Sequence, residues 1–219
     1  MASNRHLVLL AIAAVAVLAA VPLGLPLVVD VDGDDLSRDI ADTAKVPWWT
    51  GAISLAGLML WSAAAAICGF GAAAVSDRRR GDARFLAATA VLLLLAAVDD
   101  ALQLHETVGP EELGIPELVC YAALGVAALA WALRFRREIL ATRLWVLGLA
   151  AVFFAGSLLS DFLTIGPTAA EDWLKNSGIA ILLLWCADTA LGAVRAEIEP
   201  LSELRPTRAP AAATPPPGR

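Results

Sequence analysis

Six apolar segments, each long enough to cross a hydrocarbon core of about 30 Å, limit what this chain can fold into. They lie near residues 7–29, 47–75, 85–106, 117–133, 143–164 and 173–194. A helical span needs roughly 20 such residues, so the second is longer than necessary and the fourth is at the short limit. In lipid every backbone polar group must be satisfied internally, so segments of this kind become helices. The fold class expected is all-α, an integral membrane bundle of six transmembrane helices. Composition agrees, with 59% hydrophobic residues and a mean hydropathy of +0.71, where soluble domains hold about 45–50%.

The loops alternate in charge. Ser76-Asp77-Arg78-Arg79-Arg80-Gly81-Asp82-Ala83-Arg84 is basic, as is Arg134-Phe135-Arg136-Arg137-Glu138 with Arg143 beyond it. Between them lie acidic loops, one holding Asp30, Asp32, Asp34, Asp35, Asp39 and Asp42, the next Glu111, Glu112 and Glu117. The positive-inside rule makes the arginine loops cytoplasmic and puts both termini there too, N-in and C-in, in a bacterial-type inner membrane. A signal peptide is the alternative for the first span, since Arg5 precedes a short apolar run and Ala19-Ala20. The apolar stretch runs on to Val29, however, beyond the usual length of such a region.

The membrane domain is expected over 1–198. The Pro- and Ala-rich remainder, 199–219, has too little apolar surface to form a core and is expected as a disordered cytoplasmic tail. Cys68, Cys120 and Cys186 sit inside apolar spans without paired spacing, which reads as buried small hydrophobes. Trp48 and Trp49 read as interfacial belt residues. The net charge of −6 reflects the acidic loops, and nothing in the pattern points to nucleic acid. The bilayer itself is the expected partner.

The third span ends in Val98-Asp99-Asp100-Ala101-Leu102-Gln103-Leu104-His105-Glu106. Carboxylates inside an apolar helix cost roughly 2.5–3.5 kcal/mol each even on lenient insertion scales, so a chain that keeps several is expected to use them. Asp99 precedes the stop at Gly109-Pro110 by about ten residues, or roughly 15 Å of helix, which buries it in the outer half of the bilayer. On a regular helix Asp99, Gln103 and Glu106 share one face and Asp100 flanks it. His105 would then lie about 120° from Asp99, and only unwinding near Gly109 would bring the two together.

The fifth span ends with Ser157, Ser160, Asp161 and Thr164, a polar stripe on an otherwise apolar helix. Small hydroxyl residues suit close helix packing in lipid, which accounts for the serines but not for Asp161. The sixth opens with Glu171-Asp172-Trp173-Leu174-Lys175-Asn176. Glu171 and Lys175 have the favourable i,i+4 order for an ion pair, while Asp172 and Asn176 form a second polar pair. The acidic groups of three helices therefore meet in the outer leaflet. Crowded carboxylates cannot all be ionised, so either some hold protons or a cation neutralises them. A structural polar network joining the helices is the plainer alternative.

Leu93-Leu94-Leu95-Ala96-Ala97-Val98-Asp99-Asp100-Ala101-Leu102 aligns with Leu182-Leu183-Leu184-Trp185-Cys186-Ala187-Asp188-Thr189-Ala190-Leu191. Inverted repeats occur in transporters; a chance match of leucines is the alternative. Asp188 would lie towards the cytoplasm, where an arginine can pair with it.

The Asp-Asp-x4-His-Glu pattern of Asp99, Asp100, His105 and Glu106, with the acidic start of the last span, resembles uncharacterised multi-pass membrane proteins of bacteria. In that group the pattern reads Asp-Glu-x4-His-Glu, and the last helix opens with more glutamates; here Asp100 replaces the glutamate and Lys175-Asn176 interrupts the acidic opening. The resemblance implies no activity. Membrane hydrolases of the alkaline ceramidase type resemble the chain in carrying polar residues at helix ends, but they need several histidines for zinc. This chain has only His6 and His105.

The expected site comprises Asp99, Asp100, Gln103, His105, Glu106, Asp161 and Asp172, with Ser160 as a further neutral ligand. With one histidine and many carboxylates, a metal held there would be one that favours oxygen, Ca²⁺, Mg²⁺ or Mn²⁺ ahead of Zn²⁺. The first functional expectation is a membrane protein that binds or moves a cation or protons, with a homodimer as its working form. The second is a metal-dependent enzyme acting on a lipid or polyprenyl substrate at the outer leaflet, and the third an accessory subunit of a larger complex.

Overall fold

The computed structural model describes residues 12, 15, 16, 19, 44–47, 49–75, 79–163 and 168–203. Most of the expected first span, Trp48, Thr164, His6, most of the first acidic loop and residues 204–219 lie outside them. The chain divides into two compact units, Met1–Ala52 and Ile53–Arg219. In the first unit, the described residues end in a turn closed by Thr50 N–H donating to the Pro47 carbonyl at 2.9 Å.

The second unit is built of helices, with no strand among its described residues. Its elements are α1 (Ala52–Ala74), α2 (Arg80–Leu102), a π-helical segment (Leu104–Glu112), α3 (Glu117–Arg134), the short α4 (Arg136–Leu140), α5 (Leu144–Phe162) and α6 (Thr168–Glu203). Among the described residues five helices are long and apolar enough to cross a membrane: Ala52–Ala74, Arg80–Leu102, Glu117–Arg134, Leu144–Asp161 and Ala170–Ile198. Their outward faces carry Met59, Phe70, Trp145 and Val152, each more than half exposed. Faces of this kind suit lipid rather than water. Several bounds shift from those expected, and α1 starts at Ala52 where the span was expected from 47. The third span starts earlier and stops at Leu102, and the last helix continues to Glu203.

Consecutive long helices run in opposite directions, and their contacts fix the register. Along α1 and α6 the contacts are parallel. A β-carbon on Gly57 would overlap the Asn176 side chain, and one on Gly71 would come within 2.9 Å of Ala190. These contacts are fourteen residues apart on both helices, so the small residues let two near-parallel helices approach closely. Between them Cys68 of α1 and Cys186 of α6 are both fully buried in the same apolar cluster. Antiparallel α5 and α6 meet where Gly178 faces the Phe154 ring and Gly156 faces Leu174.

The packed core gathers at the end carrying the arginines. Phe85 lies 5.9 Å from Trp131, 5.6 Å from Phe135 and 6.1 Å from Trp185, between ring centroids. Buried indole N–H groups need partners. Trp131 donates to Thr89 Oγ1 at 3.1 Å and Trp185 to Thr142 Oγ1 at 3.0 Å. The opposite end, where α2 stops and α3 and α6 begin, is not filled in this way.

Candidate functional site

The site is shaped by a break in the chain. Gln103 adopts the left-handed conformation at φ 49° and ψ 43°, and its N–H still donates to the Asp99 carbonyl, closing α2. A non-glycine residue there is strained by about 1–2 kcal/mol. The chain then continues as a π-helix containing Pro110. Proline cannot donate into a regular ladder, and the wider π turn accommodates it. Wide-turn bonds run from the Val108 N–H to the Gln103 carbonyl at 3.1 Å and from the Leu113 N–H to the Val108 carbonyl at 3.1 Å. Gly109 is required inside the segment, because a β-carbon would stand 2.6 Å from the Leu104 carbonyl oxygen and 2.8 Å from Cys120 Sγ.

This break changes which side chains share a face. The regular-helix geometry that set His105 apart from Asp99 does not hold. His105 Nδ1 lies 2.6 Å from Asp99 Oδ2, with the two side chains 8% and 12% exposed. An ionised Asp99 can only accept, and Nδ1 then donates that short bond. The other ring nitrogen, Nε2, faces Glu106 Oε1 at 3.3 Å, and Glu106 is half exposed. The imidazole thus stands between a buried carboxylate and an open one. The Tyr121 ring packs 4.6 Å away and holds it in place.

A cavity of about 570 Å³ opens beside this pair, walled by α1, α2, the π segment, α3, α5 and α6. Of the seven residues expected in the site, Asp99, Asp100, His105, Glu106 and Asp161 line the cavity. Gln103 and Asp172 do not; the Gln103 amide instead donates to Glu106 Oε2 at 3.4 Å. Ser160 is not among the lining residues, whereas Ser157, one turn back, is. Three charged or hydroxyl-bearing members were not expected: Glu171, Lys175 and Tyr121. Tyr121 had one signal, as the single tyrosine of the chain in an otherwise apolar span. Lys175 reaches across from α6 to pair with Asp100 of α2, rather than back to Glu171. Trp61, Leu118, Leu124, Ala128, Phe154 and Leu158 make the rest of the wall apolar. Among the described residues no three His, Cys, Asp or Glu side chains converge closely enough to hold a metal ion.

The cavity does not continue to the arginine end. The aromatic cluster of Phe85, Trp131, Phe135 and Trp185 stands between it and a separate pocket of about 320 Å³ at that end. Beyond it Asp188 pairs with Arg143 at 3.2 Å.

The family model of a domain of unknown function, DUF8692, matches residues 8–189. The chain belongs to the DUF8692 family. Its matched stretch contains the whole cavity wall and the Asp99–His105 pair. No curated protein and no solved structure matches this DUF8692 chain.

Proposed function

We propose that this chain is a multi-pass membrane protein that binds protons or a cation at a buried acidic site in the outer half of the bilayer. The observation that supports it most is the Asp99–His105 contact of 2.6 Å, with Glu106 at 3.3 Å on the far side of the ring. A histidine held between two carboxylates has the geometry to pass a proton from an open group to a buried one. No three-ligand set gathers among the described residues, which favours a proton over a divalent metal such as Ca²⁺, Mg²⁺ or Mn²⁺. Six spans with both termini in the cytoplasm of a bacterial-type inner membrane belong to this reading, because the arginine loops then lie inside and the cavity opens outwards. A homodimer is compatible with it.

The aromatic cluster that stands between the cavity and the arginine end supports binding at one face over passage through the bilayer. It also favours a second reading, an enzyme working on a lipid or polyprenyl substrate from the outer leaflet. In that case Asp99 would orient His105 as general base beneath an apolar wall. Proton uptake by purified protein in nanodiscs, followed with a pH-sensitive dye, tests the first reading. Wild type is expected to take up protons reversibly as the pH falls, with one fewer bound in His105→Gln. Equal uptake by the two would count against the proposal.

A further inference from the structure

The cavity is far larger than a bare ion needs. A water occupies about 30 Å³ of liquid volume and ligand pockets typically measure 300–1,000 Å³, so about 570 Å³ is the size of a small organic molecule. Its lining also has two distinct ends, which read directly along α5. Asp161 stands at the mouth, Ser157 one turn deeper, and Phe154 nearly another turn deeper, a distance of about 10 Å in all. At the deep end Phe154 stacks on Trp61, with centroids 5.7 Å apart and planes within 11°.

Charge gives the sign of the occupant. Five carboxylates line the cavity, Asp99, Asp100, Glu106, Asp161 and Glu171, against one lysine and one histidine. Lys175 pairs with Asp100 and His105 with Asp99, so the negative charge of the mouth exceeds the cationic groups facing it. Ser157 is an independent pointer. It is 7% exposed, lines the cavity, and has no hydrogen-bond partner among the described residues. A hydroxyl that lines the cavity without a protein partner can accept a hydrogen bond from a donor that enters.

We infer that the cavity binds a protonated amine with an apolar body. The ammonium sits between Asp161 and Ser157, donating to both, and the hydrocarbon lies along Phe154 and Trp61. This assignment rests on the site proposed above and names the class of cation it takes. An alkylamine is protonated at neutral pH, as a lysine is. Its ammonium gains carboxylate bonds and its tail leaves water at roughly 0.8 kcal/mol, about fourfold in affinity, per buried methylene.

Equilibrium dialysis of labelled hexylamine against protein in zwitterionic nanodiscs, with empty nanodiscs subtracted, tests the inference. Hexanol and hexanesulfonate serve as neutral and anionic probes of similar length. Hexylamine is expected to bind saturably and at least tenfold more tightly than either. Asp161→Asn should weaken it by about tenfold and Ser157→Ala by several-fold. Hexanol or hexanesulfonate binding as tightly as hexylamine would overturn the inference and mark the cavity as a groove for acyl chains. Unchanged hexylamine binding in Asp161→Asn would overturn it too. Proton uptake measured on the same samples separates the two claims. Uptake that depends on His105 without hexylamine binding removes the amine assignment alone, whereas loss of both removes the site itself.

Discussion

His105 and Asp99 stand six residues apart in the chain, yet Nδ1 of one lies 2.6 Å from Oδ2 of the other. A regular helix would point them about 120° apart. The left-handed turn at Gln103 closes that angle, and the π segment held by Gly109 and Pro110 keeps it closed. Strained backbone at a point where two ionisable groups meet is a recurring mark of functional sites.

Gln103→Gly tests the strain. Glycine adopts φ near 49° without a steric cost, so this variant should be at least as stable as wild type, by up to about 1 kcal/mol. Gln103→Val should be less stable by about as much or more. Thermal unfolding in detergent compares the three proteins.

Gly109→Ala should be more damaging. The added carbon would collide with the Leu104 carbonyl and Cys120 Sγ, an overpacking cost of about 1–3 kcal/mol. The π segment would have to shift, and His105 would separate from Asp99. Modification of His105 by diethylpyrocarbonate, slow in wild type where the side chain is 8% exposed, should become fast.

The Asp100–Lys175 pair joins α2 to α6, with Asp100 only 15% exposed. Removing one partner of a buried pair typically costs about 3–5 kcal/mol, because the other charge is left uncompensated. Lys175 is 31% exposed, so solvent screening should reduce this to about 1–3 kcal/mol. Lys175→Ala should therefore destabilise the protein, and adding Asp100→Asn should restore much of the loss. A double-mutant cycle in thermal unfolding measures that coupling.

The parallel register of α1 and α6 brings buried Cys68 level with buried Cys186. Mild oxidation with copper phenanthroline in membranes should link them within one chain, and mass analysis of a digest should find that peptide pair. Cys68→Ser or Cys186→Ser should abolish the link, and Cys120→Ser should leave it intact.

Much of the helical frame was legible in apolar length alone, since span bounds such as 117–133 and 143–164 fall close to α3 and α5. Five of the seven expected site residues line the cavity for a related reason, namely that buried carboxylates in an apolar chain have few places to go. The His105–Asp99 contact was not legible, because Gln103 has no glycine to announce a left-handed turn. Only Gly109-Pro110 hinted at the break. Asp172 was favoured over Glu171 because capping of the helix and an i,i+4 pair with Lys175 account for Glu171 locally. Lys175 reads locally as a partner for Glu171, whereas its contact with Asp100 joins residues 75 apart. Pairings of that kind exist only once the helices are packed.

The most direct test of the account observes the His105 ring itself. In a His6→Ala background His105 is the single histidine, so nitrogen-15 labelling of histidine gives one imidazole in the nuclear magnetic resonance spectrum. The account predicts a strongly deshielded Nδ1 proton, characteristic of a short bond to a carboxylate, that vanishes in Asp99→Asn while the protein stays folded. An imidazole whose signals resemble free histidine, or that are unchanged by Asp99→Asn, would contradict it.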